Sequence, residues 1–273
     1  MPEGPEVKRF VDQLNSKIGS DTLTKIQILS GRYQTHGNPD GMDVFIANLP
    51  LQLESVSCKG KFIYWSFKDT ETTLWSTLGM TGSWSLNPSH ARVLFMMKDK
   101  YSVSYNLYFS DIRNFGTIKF SHSKLELVQK LNSIGPDMLS NPPDLATFSK
   151  IIRDEGDKNI CKAVMDQSII SGVGNYVKAE SLYLSKISPA RLCNSLSNLE
   201  IENLYNSIRN VLTESYQSGG STIKTYSDMY GNTGSYSGRF LVYGKKSDPI
   251  GNPVIKTETL DGRTTHWVPS VQF

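Results

Sequence analysis

The feature that most constrains the fold of this 273-residue chain is a change in hydrophobic periodicity near its middle. Between about residues 22 and 120, short runs of β-branched and aromatic residues alternate with polar turns, a pattern typical of strands. The runs span 23–28, 61–67, 73–78, 92–97 and 101–109. Because several short strands must bury one face each against another layer, they predict a two-layer β-sandwich.

Beyond this stretch the pattern becomes helical. Two clusters of chain-breaking residues, Gly-Pro-Asp at 135–137 and Asn-Pro-Pro-Asp at 141–144, mark a boundary. Helices are predicted at 145–153, 159–166, 175–185 and 197–217, followed by a hairpin that pairs 240–243 with 264–268. We therefore predict an α+β chain with an N-terminal domain over 1–137, a helical domain over 138–220 and a C-terminal segment over 221–273.

A helix is also predicted at the N-terminus. One helical face carries five apolar residues, Val7, Phe10, Val11, Leu14 and Ile18. Gly19 is a suitable stop, and shorter helices are predicted at 42–49 and 124–131. The residues before the apolar face lie at a helix start, where the helix dipole favours an anion such as Glu3.

Charge and cysteine content narrow the expected partners and compartment. The net charge is +3 and the pI about 8.6, a mildly basic balance that permits a nucleic-acid partner without demonstrating one. Cys58, Cys161 and Cys193 lie far apart, which disfavours a disulfide framework and favours a reducing, intracellular compartment. Apolar runs fall short of the ~20 residues that span a bilayer, so we expect no membrane partner.

The first residues, Met-Pro-Glu-Gly-Pro-Glu, carry the clearest catalytic pattern. Removal of Met1 would leave Pro2 with a free secondary amine, and terminal amines have a pKa of roughly 7.7–8. Such an amine attacks an electrophilic carbon to give an iminium ion, and Glu3 is adjacent to move protons. The same residues also suit an ordinary helix start, since Pro and Glu are favoured in a first turn.

Several internal motifs add candidate contacts. These are Lys61 after a glycine turn, Met80 in Leu-Gly-Met-Thr-Gly, Arg113 and Phe115 in Asp-Ile-Arg-Asn-Phe-Gly, and Arg263 in Asp-Gly-Arg. Each residue alone also fits a solvated lysine, a core methionine, a surface arginine or a strand-end aromatic.

Two glycine-rich stretches are further candidates. In 166–176, two glycines precede Asn175, which we predict to cap a new helix. Glycine turns and helix starts suit a phosphate, although an ordinary connector with an Asn N-cap has the same pattern. By composition, the second stretch, 219–226, fits a plain surface loop.

Taken in this order, the motifs resemble the Fpg/Nei family of DNA glycosylases over nearly the whole chain. The resemblance implies that Pro2 is the nucleophile, that Glu3 transfers protons, and that Lys61 and Arg263 contact phosphate at the lesion as part of the catalytic set. It also implies that 166–176 is a helix–two-turns–helix motif and that 219–226 closes over an extruded base. Met80, Arg113 and Phe115 would form a wedge, because an apolar group and a cation offset the stacking that is lost when a base leaves the duplex. The implied DNA-binding residues are Glu6, Met80, Arg113, Phe115, Asn175, Ser221, Thr222, Lys224 and Tyr226.

One departure from the family lies near the C-terminus. Bacterial members carry two Cys-x-x-Cys pairs there that bind zinc, whereas 248–253 and 267–270 contain no cysteine here. His266 alone cannot hold a zinc ion, which takes four ligands in structural sites. The chain therefore resembles the zincless-finger subset, known from Nei-like eukaryotic, plant, fungal and giant-virus members, and we expect no metal and no cofactor.

The resemblance implies a bifunctional DNA glycosylase and AP lyase that acts in base excision repair as a monomer on damaged double-stranded DNA. Its expected substrates are oxidised purines, such as formamidopyrimidines and 8-oxoguanine, and oxidised pyrimidines, processed through a Pro2 Schiff base with β,δ-elimination. One alternative is a non-catalytic damaged-DNA-binding protein, favoured if Met1 is retained. Another is an unrelated α+β enzyme whose glycine loop binds a nucleotide, although the chain has no G-x-x-x-x-G-K-[ST] loop.

Overall fold

The computed structural model describes residues 2–221 and 228–273. The fold class is α+β, as the sequence predicts, and the chain divides into two compact units. The first unit contains residue 2, residues 6–133 and the described part of 221–234. The second contains residues 3–5, 134–220 and 235–273, so the chain passes between the units within its first six residues.

The predicted N-terminal helix is confirmed as α1 (Gly4–Ile18). Its apolar face enters the core of the first unit, where the five predicted residues Val7, Phe10, Val11, Leu14 and Ile18 are at most 3 % exposed. Gly19 follows the helix with a φ of 34°. Because α1 begins at Gly4, Pro2 and Glu3 precede the helix rather than forming its first turn.

The β-rich stretch of the first unit forms eight antiparallel strands in the order β5-β7-β6-β1-β2-β3-β4-β8. The strands are β1 (Thr22–Ile28), β2 (Leu51–Lys59), β3 (Phe62–Phe67), β4 (Thr73–Thr77), β5 (Gly82–Ser85), β6 (Ala91–Lys98), β7 (Ser104–Asp111) and β8 (Thr117–Ser121). In β6, buried and half-buried side chains alternate, as they do in a strand with one face toward the core.

This strand order folds into the two predicted layers. β1 and β2 are paired only through Thr22 with Gln52 and Leu23 with Leu51. This short link divides the eight strands into two groups of four, β5-β7-β6-β1 and β2-β3-β4-β8. The Trp65 ring on β3 contacts the rings of Trp84 on β5 and Phe95 on β6, with centroids 4.7 and 6.3 Å apart. All three side chains are fully buried, so the two halves of the strand order share one aromatic core.

Short helices complete the first unit. They are α2 (Arg32–Thr35), α3 (Met42–Ala47) and α4 (Lys124–Asn132). Phe45 of α3 packs against Phe67 and Phe120, with ring centroids 5.4 and 4.5 Å apart. α3 ends two residues before its predicted end and α4 one residue after.

The second unit is mainly helical, and its helices lie within two residues of their predicted ends. They are α5 (Leu145–Asp154), α6 (Ile160–Met165), α7 (Asn175–Leu184) and α8 (Asn198–Gln217). The Asp144 side chain accepts from the N–H of Thr147 at the start of α5, and Ser197 and Glu200 form a capping box at the start of α8. Across the described part of the chain, no helix is both long and apolar enough to cross a membrane.

The C-terminal hairpin pairs β9 (Ile255–Glu258) with β10 (Thr264–Trp267). Its second strand matches the prediction, but the predicted first strand, 240–243, is wrong. The N–H groups of Leu241, Val242 and Tyr243 donate to the Glu180 carboxylate of α7 at 2.8, 3.0 and 2.7 Å, so they are not available to a strand ladder. The sequence pattern did not indicate β9 because all four of its side chains are exposed.

Candidate active site and nucleic-acid interface

In the second unit, Glu3 is held at the start of α7. Its side chain is 2 % exposed, and its two carboxylate oxygens accept from the N–H groups of Tyr176 and Val177 at 2.9 and 3.2 Å. These N–H groups are among those that a helix leaves without internal partners at its N-terminus. A Cβ at Gly174 would lie 2.2 Å from Cδ of Glu3, so only glycine leaves room for the carboxylate.

The prediction that Asn175 caps this helix is wrong. Gly174 is the N-cap residue, and Glu3 supplies the carboxylate that a capping side chain would otherwise provide. Asn175 is instead the first residue of α7, and its Nδ2 donates to the carbonyl oxygen of Thr264 at 3.0 Å. The Asn175 amide therefore joins α7 to the C-terminal hairpin, and the positive end of the helix already holds an anion.

Tyr243 lies among the predicted site residues of the second unit. Burial raises the pKa of its phenol, the Asn175 amide lowers it, the charge of Glu3 raises it, and the charge of Arg263 lowers it. All three predicted residues therefore lie near the hydroxyl of Tyr243. The sequence places Tyr243 only in the predicted strand 240–243, and its neighbours in the chain give no signal of a site.

Arg263 extends from the turn of the C-terminal hairpin. Its side chain is exposed, and the preceding Gly262 has a φ of 70°, in the left-handed region that favours glycine. The carbonyl oxygen of Arg263 accepts from the N–H of Thr259 at 2.9 Å. The main chain at Arg263 is thus fixed while its guanidinium group is exposed at the surface.

In the first unit, Pro2 is buried and Glu6 connects α1 to the segment that begins at Ser221. The Glu6 carboxylate is 1 % exposed and accepts from the N–H of Ser221 at 2.7 Å. Ser221 itself is 2 % exposed. Thr222, Lys224 and Tyr226, the other candidates of this segment, lie outside the described residues.

Lys61 lies in a two-residue hairpin turn of the first unit. Lys59 and Phe62 are paired across the turn, and Gly60 has a φ of 58°. A glycine with positive φ at the first loop position suits the tight turns that join antiparallel strands. This confirms the glycine turn predicted before β3 and places the half-buried Lys61 at its tip.

Met80, Arg113 and Phe115 form a cluster in the first unit, as the two wedge motifs predict. Nη1 of Arg113 lies 3.2 Å from Sδ of Met80, and the Arg113 guanidinium lies 4.7 Å from the centre of the Phe115 ring. Phe115 is 52 % exposed, which is unusual for a large aromatic side chain. The cluster presents a cation, an aromatic ring and a thioether on one exposed surface.

A buried carboxylate holds the second of these loops. Asp111 is 1 % exposed; its Oδ1 accepts from the N–H of Arg113 at 3.1 Å and from the Thr81 hydroxyl, and its Oδ2 accepts from the N–H of Gly116 at 2.6 Å. Thr81 in turn accepts from the N–H of Arg113 at 3.0 Å. Asp111 thereby ties the Met80 loop to the Arg113 loop, a role that the motif alone did not indicate.

Three segments of the chain match the domains of one known protein family. Residues 1–118, 134–227 and 236–273 match the N-terminal, H2TH and C-terminal domains of formamidopyrimidine-DNA glycosylase. The formamidopyrimidine-DNA glycosylase of Listeria innocua is 30 % identical over 285 residues that cover all of both chains. The chain belongs to the formamidopyrimidine-DNA glycosylase family.

Solved structures of this formamidopyrimidine-DNA glycosylase family agree with the assignment. A Lactococcus lactis variant in complex with DNA that contains Fapy-dG has a TM-score of 0.86 and 27 % identity, with 99 % of each chain covered. The wild-type Lactococcus lactis protein in complex with DNA that contains an oxidised pyrimidine has a TM-score of 0.84 and 26 % identity, again with 99 % of each chain covered.

The zinc site that the resemblance attributes to bacterial formamidopyrimidine-DNA glycosylases does not fit the residues of this chain. Among residues 2–221 and 228–273, no group of three or more His, Cys, Asp or Glu side chains could hold a metal ion. Asp248 lies in one of the two corresponding stretches, and its Oδ1 accepts from the N–H groups of Ile250 and Asn252 at 3.1 and 2.8 Å. Its Oδ2 accepts from Nδ2 of Asn252 at 2.9 Å and from the Tyr183 hydroxyl at 3.1 Å, so protein donors already use the carboxylate.

Proposed function

We propose that the protein is a DNA N-glycosylase and AP lyase of base excision repair that acts through a Schiff base at Pro2. After removal of Met1, the Pro2 nitrogen attacks C1′ of the damaged nucleotide. The C1′–base bond breaks, and the departing base takes up a proton. Opening of the sugar then leaves an iminium ion between Pro2 and C1′, and β- and δ-elimination cut the strand on both sides.

The observation that carries this proposal is the position of Glu3. The residue after the proposed nucleophile has a buried carboxylate held by the N–H groups of Tyr176 and Val177, with room made by Gly174. Such a carboxylate is fixed in one orientation and remains within one residue of the Pro2 nitrogen along the chain. We assign it the proton transfers that accompany base loss and elimination.

Phosphate binding is assigned to Lys61, Asn175 and Arg263. Lys61 and Arg263 each follow a glycine with positive φ at a turn, with the Lys61 side chain half-buried and the Arg263 side chain exposed. Burial raises the pKa of Tyr243, so its phenol remains a neutral hydrogen-bond donor beside Asn175 and Arg263. These three donors of the second unit, Asn175, Tyr243 and Arg263, suit the oxygens of a DNA phosphate.

The cluster of Met80, Arg113 and Phe115 is assigned to the gap that an extruded base leaves. An exposed ring stacks on the neighbouring base pair, and the arginine faces the base that has lost its partner. The contacts of Arg113 with Met80 and Phe115 hold the three groups together before DNA binds. Less side-chain freedom is therefore lost on binding.

We further infer the substrates and the subgroup. Relatives have been crystallised with DNA that contains Fapy-dG and with DNA that contains an oxidised pyrimidine, which supports activity on formamidopyrimidines and oxidised pyrimidines. We extend the proposal to 8-oxoguanine because the sequence resemblance implies oxidised purines as a class. The absence of cysteine from 248–253 and 267–270 supports the zincless-finger subset. We propose that the protein acts as a monomer on double-stranded DNA in a compartment that contains DNA.

Borohydride trapping tests the proposed nucleophile. Mature protein without Met1 should form a covalent adduct with a duplex that contains one abasic site, because borohydride reduces the iminium ion to a stable amine. Pro2→Gly should keep some trapping, since a primary terminal amine remains. Full lyase activity in protein whose Met1 is verified by mass spectrometry would rule the mechanism out.

Glu3→Gln tests the proton-transfer role and separates the enzyme from a non-catalytic binder. The amide keeps the shape of the carboxylate but cannot move protons, so base excision should fall by at least 10²-fold. Cleavage of a ready-made abasic site should fall less, because no base has to leave. A protein that binds damaged duplex tightly, yet is neither trapped nor able to nick it, would be the non-catalytic damaged-DNA-binding protein instead.

A further inference from the structure

A buried ion pair connects α7 to the turn of the C-terminal hairpin. Nζ of Lys178 lies 2.5 Å from Oδ2 of Asp261, and the two side chains are 0 % and 4 % exposed. Taking both charges out of water costs several kcal/mol per ion, and a pair of apolar residues would often be as stable. A charged pair at this depth is therefore suited to fixing geometry rather than to adding stability.

Asp261 balances the charge of Lys178, because the other described titratable side chains that interact with Lys178, Cys161 and His266, are neutral. Burial raises the pKa of Cys161 to about 11, so the thiol is neutral at pH 7. Burial and the charges of Lys256 and Lys178 lower the pKa of His266, so the imidazole is neutral as well. Burial would raise the pKa of Asp261, but hydrogen bonds from Lys178 and Thr259 outweigh it and lower the pKa, so the carboxylate stays ionised.

Asp261 in turn holds the main chain of Arg263. Its Oδ1 accepts from the Thr259 hydroxyl at 2.5 Å and from the N–H of Arg263 at 3.4 Å. The Arg263 carbonyl oxygen accepts from the Thr259 N–H at 2.9 Å, and the Thr259 hydroxyl oxygen lies 2.9 Å from that carbonyl oxygen and 2.8 Å from the Thr265 hydroxyl. Both main-chain groups of Arg263 are thus engaged by a network that ends at Lys178.

We propose that Lys178 and Asp261 are positioning residues that aim Arg263 at a DNA phosphate. The pair fixes the hairpin turn to α7, the helix that also carries Asn175 and receives Glu3. The inference rests on the proposed phosphate contact of Arg263. Its consequence is that phosphate binding by an exposed arginine depends on a lysine that DNA never touches.

The salt dependence of DNA binding tests this proposal with a readout that loss of stability alone would not move. The probe is a duplex with one non-cleavable abasic analogue, and each lost phosphate contact lowers the slope of log K against log salt by about 0.9. Arg263→Ala should lower the slope by that amount. Lys178→Met should lower it equally, and adding Lys178→Met to Arg263→Ala should lower it no further.

Asp261→Asn gives the sharper test, because two explanations predict opposite results. Removal of a negative charge would strengthen DNA binding and leave the slope unchanged if Asp261 acted only through the overall field. If Asp261 positions Arg263, the variant binds more weakly and with the lower slope of Arg263→Ala. If either single variant proves too unstable to assay, the double variant Lys178→Met/Asp261→Asn leaves no buried charge and should show the same lower slope.

A matched control comes from another ion pair of the second unit. Arg191 and Glu200 are 2.8 Å apart with side chains 25 % and 28 % exposed, and Arg191→Met should destabilise the unit without changing the slope. Normal slopes in both Lys178→Met and Asp261→Asn would overturn the inference. A normal slope in Arg263→Ala would instead refute the phosphate contact itself.

Discussion

Two turns of this molecule present an arginine in the same way and support it differently. In the first unit, Asp111-Ile-Arg113 places the Arg113 N–H 3.1 Å from Oδ1 of its aspartate. In the second unit, Asp261-Gly-Arg263 places the Arg263 N–H 3.4 Å from Oδ1 of its own. A threonine hydroxyl, from Thr81 or Thr259, donates to the same oxygen in each turn.

The difference lies at the second carboxylate oxygen. Oδ2 of Asp111 accepts from a neutral backbone donor, the N–H of Gly116, whereas Oδ2 of Asp261 pairs with the buried ammonium of Lys178. The Asp111 carboxylate is held locally, because the donors described above come from its own loop and from the neighbouring Met80 loop. In the hairpin, Oδ2 of Asp261 instead pairs with a charge from α7, 83 residues away in the chain. A turn with its own internal hydrogen bonds is thus also fixed by one long-range ion pair.

The largest expected effect on stability follows from breaking that pair. Lys178→Met leaves an uncompensated buried carboxylate and should cost about 3–5 kcal/mol in the free energy of unfolding. The double variant Lys178→Met/Asp261→Asn should recover most of the loss, because no buried charge remains. Urea unfolding followed by circular dichroism measures both. A loss below about 1 kcal/mol in the single variant would show that Asp261 is not held by charge.

The Met80 loop, which Asp111 ties to the Arg113 turn, is more crowded than the hairpin turn, and a glycine in each allows a test. Gly79 and Gly262 have φ values of 56° and 70°, so alanine at either is strained by roughly 1–2 kcal/mol. A Cβ at Gly79 would also lie 2.7 Å from the carbonyl carbon of Phe115, whereas a Cβ at Gly262 meets no described atom within 4 Å. Overpacking should raise the cost of Gly79→Ala to about 2–5 kcal/mol.

Equal unfolding energies for the two alanine variants would contradict this contrast. Excision provides a second measurement, because Gly79→Ala should displace Phe115 from the wedge cluster. We expect that variant to lose more activity on a lesion in duplex DNA than on the same lesion in a single strand, where stacking costs less. Gly262→Ala should lose activity on both to a similar and smaller extent.

A smaller effect is expected from Asp111→Asn. The amide keeps only one acceptor oxygen. Either the N–H of Gly116 at Oδ2, or the N–H of Arg113 and the Thr81 hydroxyl at Oδ1, must therefore lose their acceptor, at a cost of about 1–3 kcal/mol in the free energy of unfolding. Asp99→Asn is a matched control, because among the described residues the Asp99 carboxylate accepts only at Oδ1, from the N–H groups of Tyr101 and Val103. An amide oxygen can replace that acceptor. Thermal unfolding should separate the variants. Similar midpoints would mean that the second oxygen of Asp111 contributes little.

Much of the fold could be predicted because its signals are local. The five apolar residues of α1 repeat with helical spacing over 7–18. Between 22 and 120, short apolar strands are separated by turns that contain glycine or polar residues. The order of short motifs around Pro2, Met80 and Arg113 was also readable, since each motif is contiguous. The predicted helix–two-turns–helix motif at 166–176 therefore lies within the range that matches the H2TH domain, whereas the wedge role of Met80, Arg113 and Phe115 stays a prediction.

The missed contacts join residues that are distant in sequence. Glu3 lies 173 residues from Tyr176, Glu180 lies 61 residues from Leu241, and Lys178 lies 83 residues from Asp261. Glu180, Lys178 and Asp261 have the sequence pattern of ordinary surface positions, and the motif that contains Glu3 does not indicate its partner. A single sequence does not show which distant residue removes a charged side chain from water. The errors at Asn175 and at 240–243 follow directly, since both depend on a carboxylate from elsewhere.

The smallest expected effect is that of chelation. It tests whether a metal ion holds the hairpin turn, since only this turn lies near the expected zinc ligands. Asp248, which lies where the family's zinc ligands are expected, already has protein donors on both oxygens. A structural zinc would make the hairpin unfold when removed, whereas the Lys178–Asp261 pair needs no metal. We expect excess EDTA to leave the unfolding midpoint, excision and the salt slope unchanged, with no stoichiometric zinc in elemental analysis. If chelation lowered the salt slope, zinc restored it, and the duplex preference of the wedge cluster stayed intact, then a metal rather than Lys178 would hold Arg263.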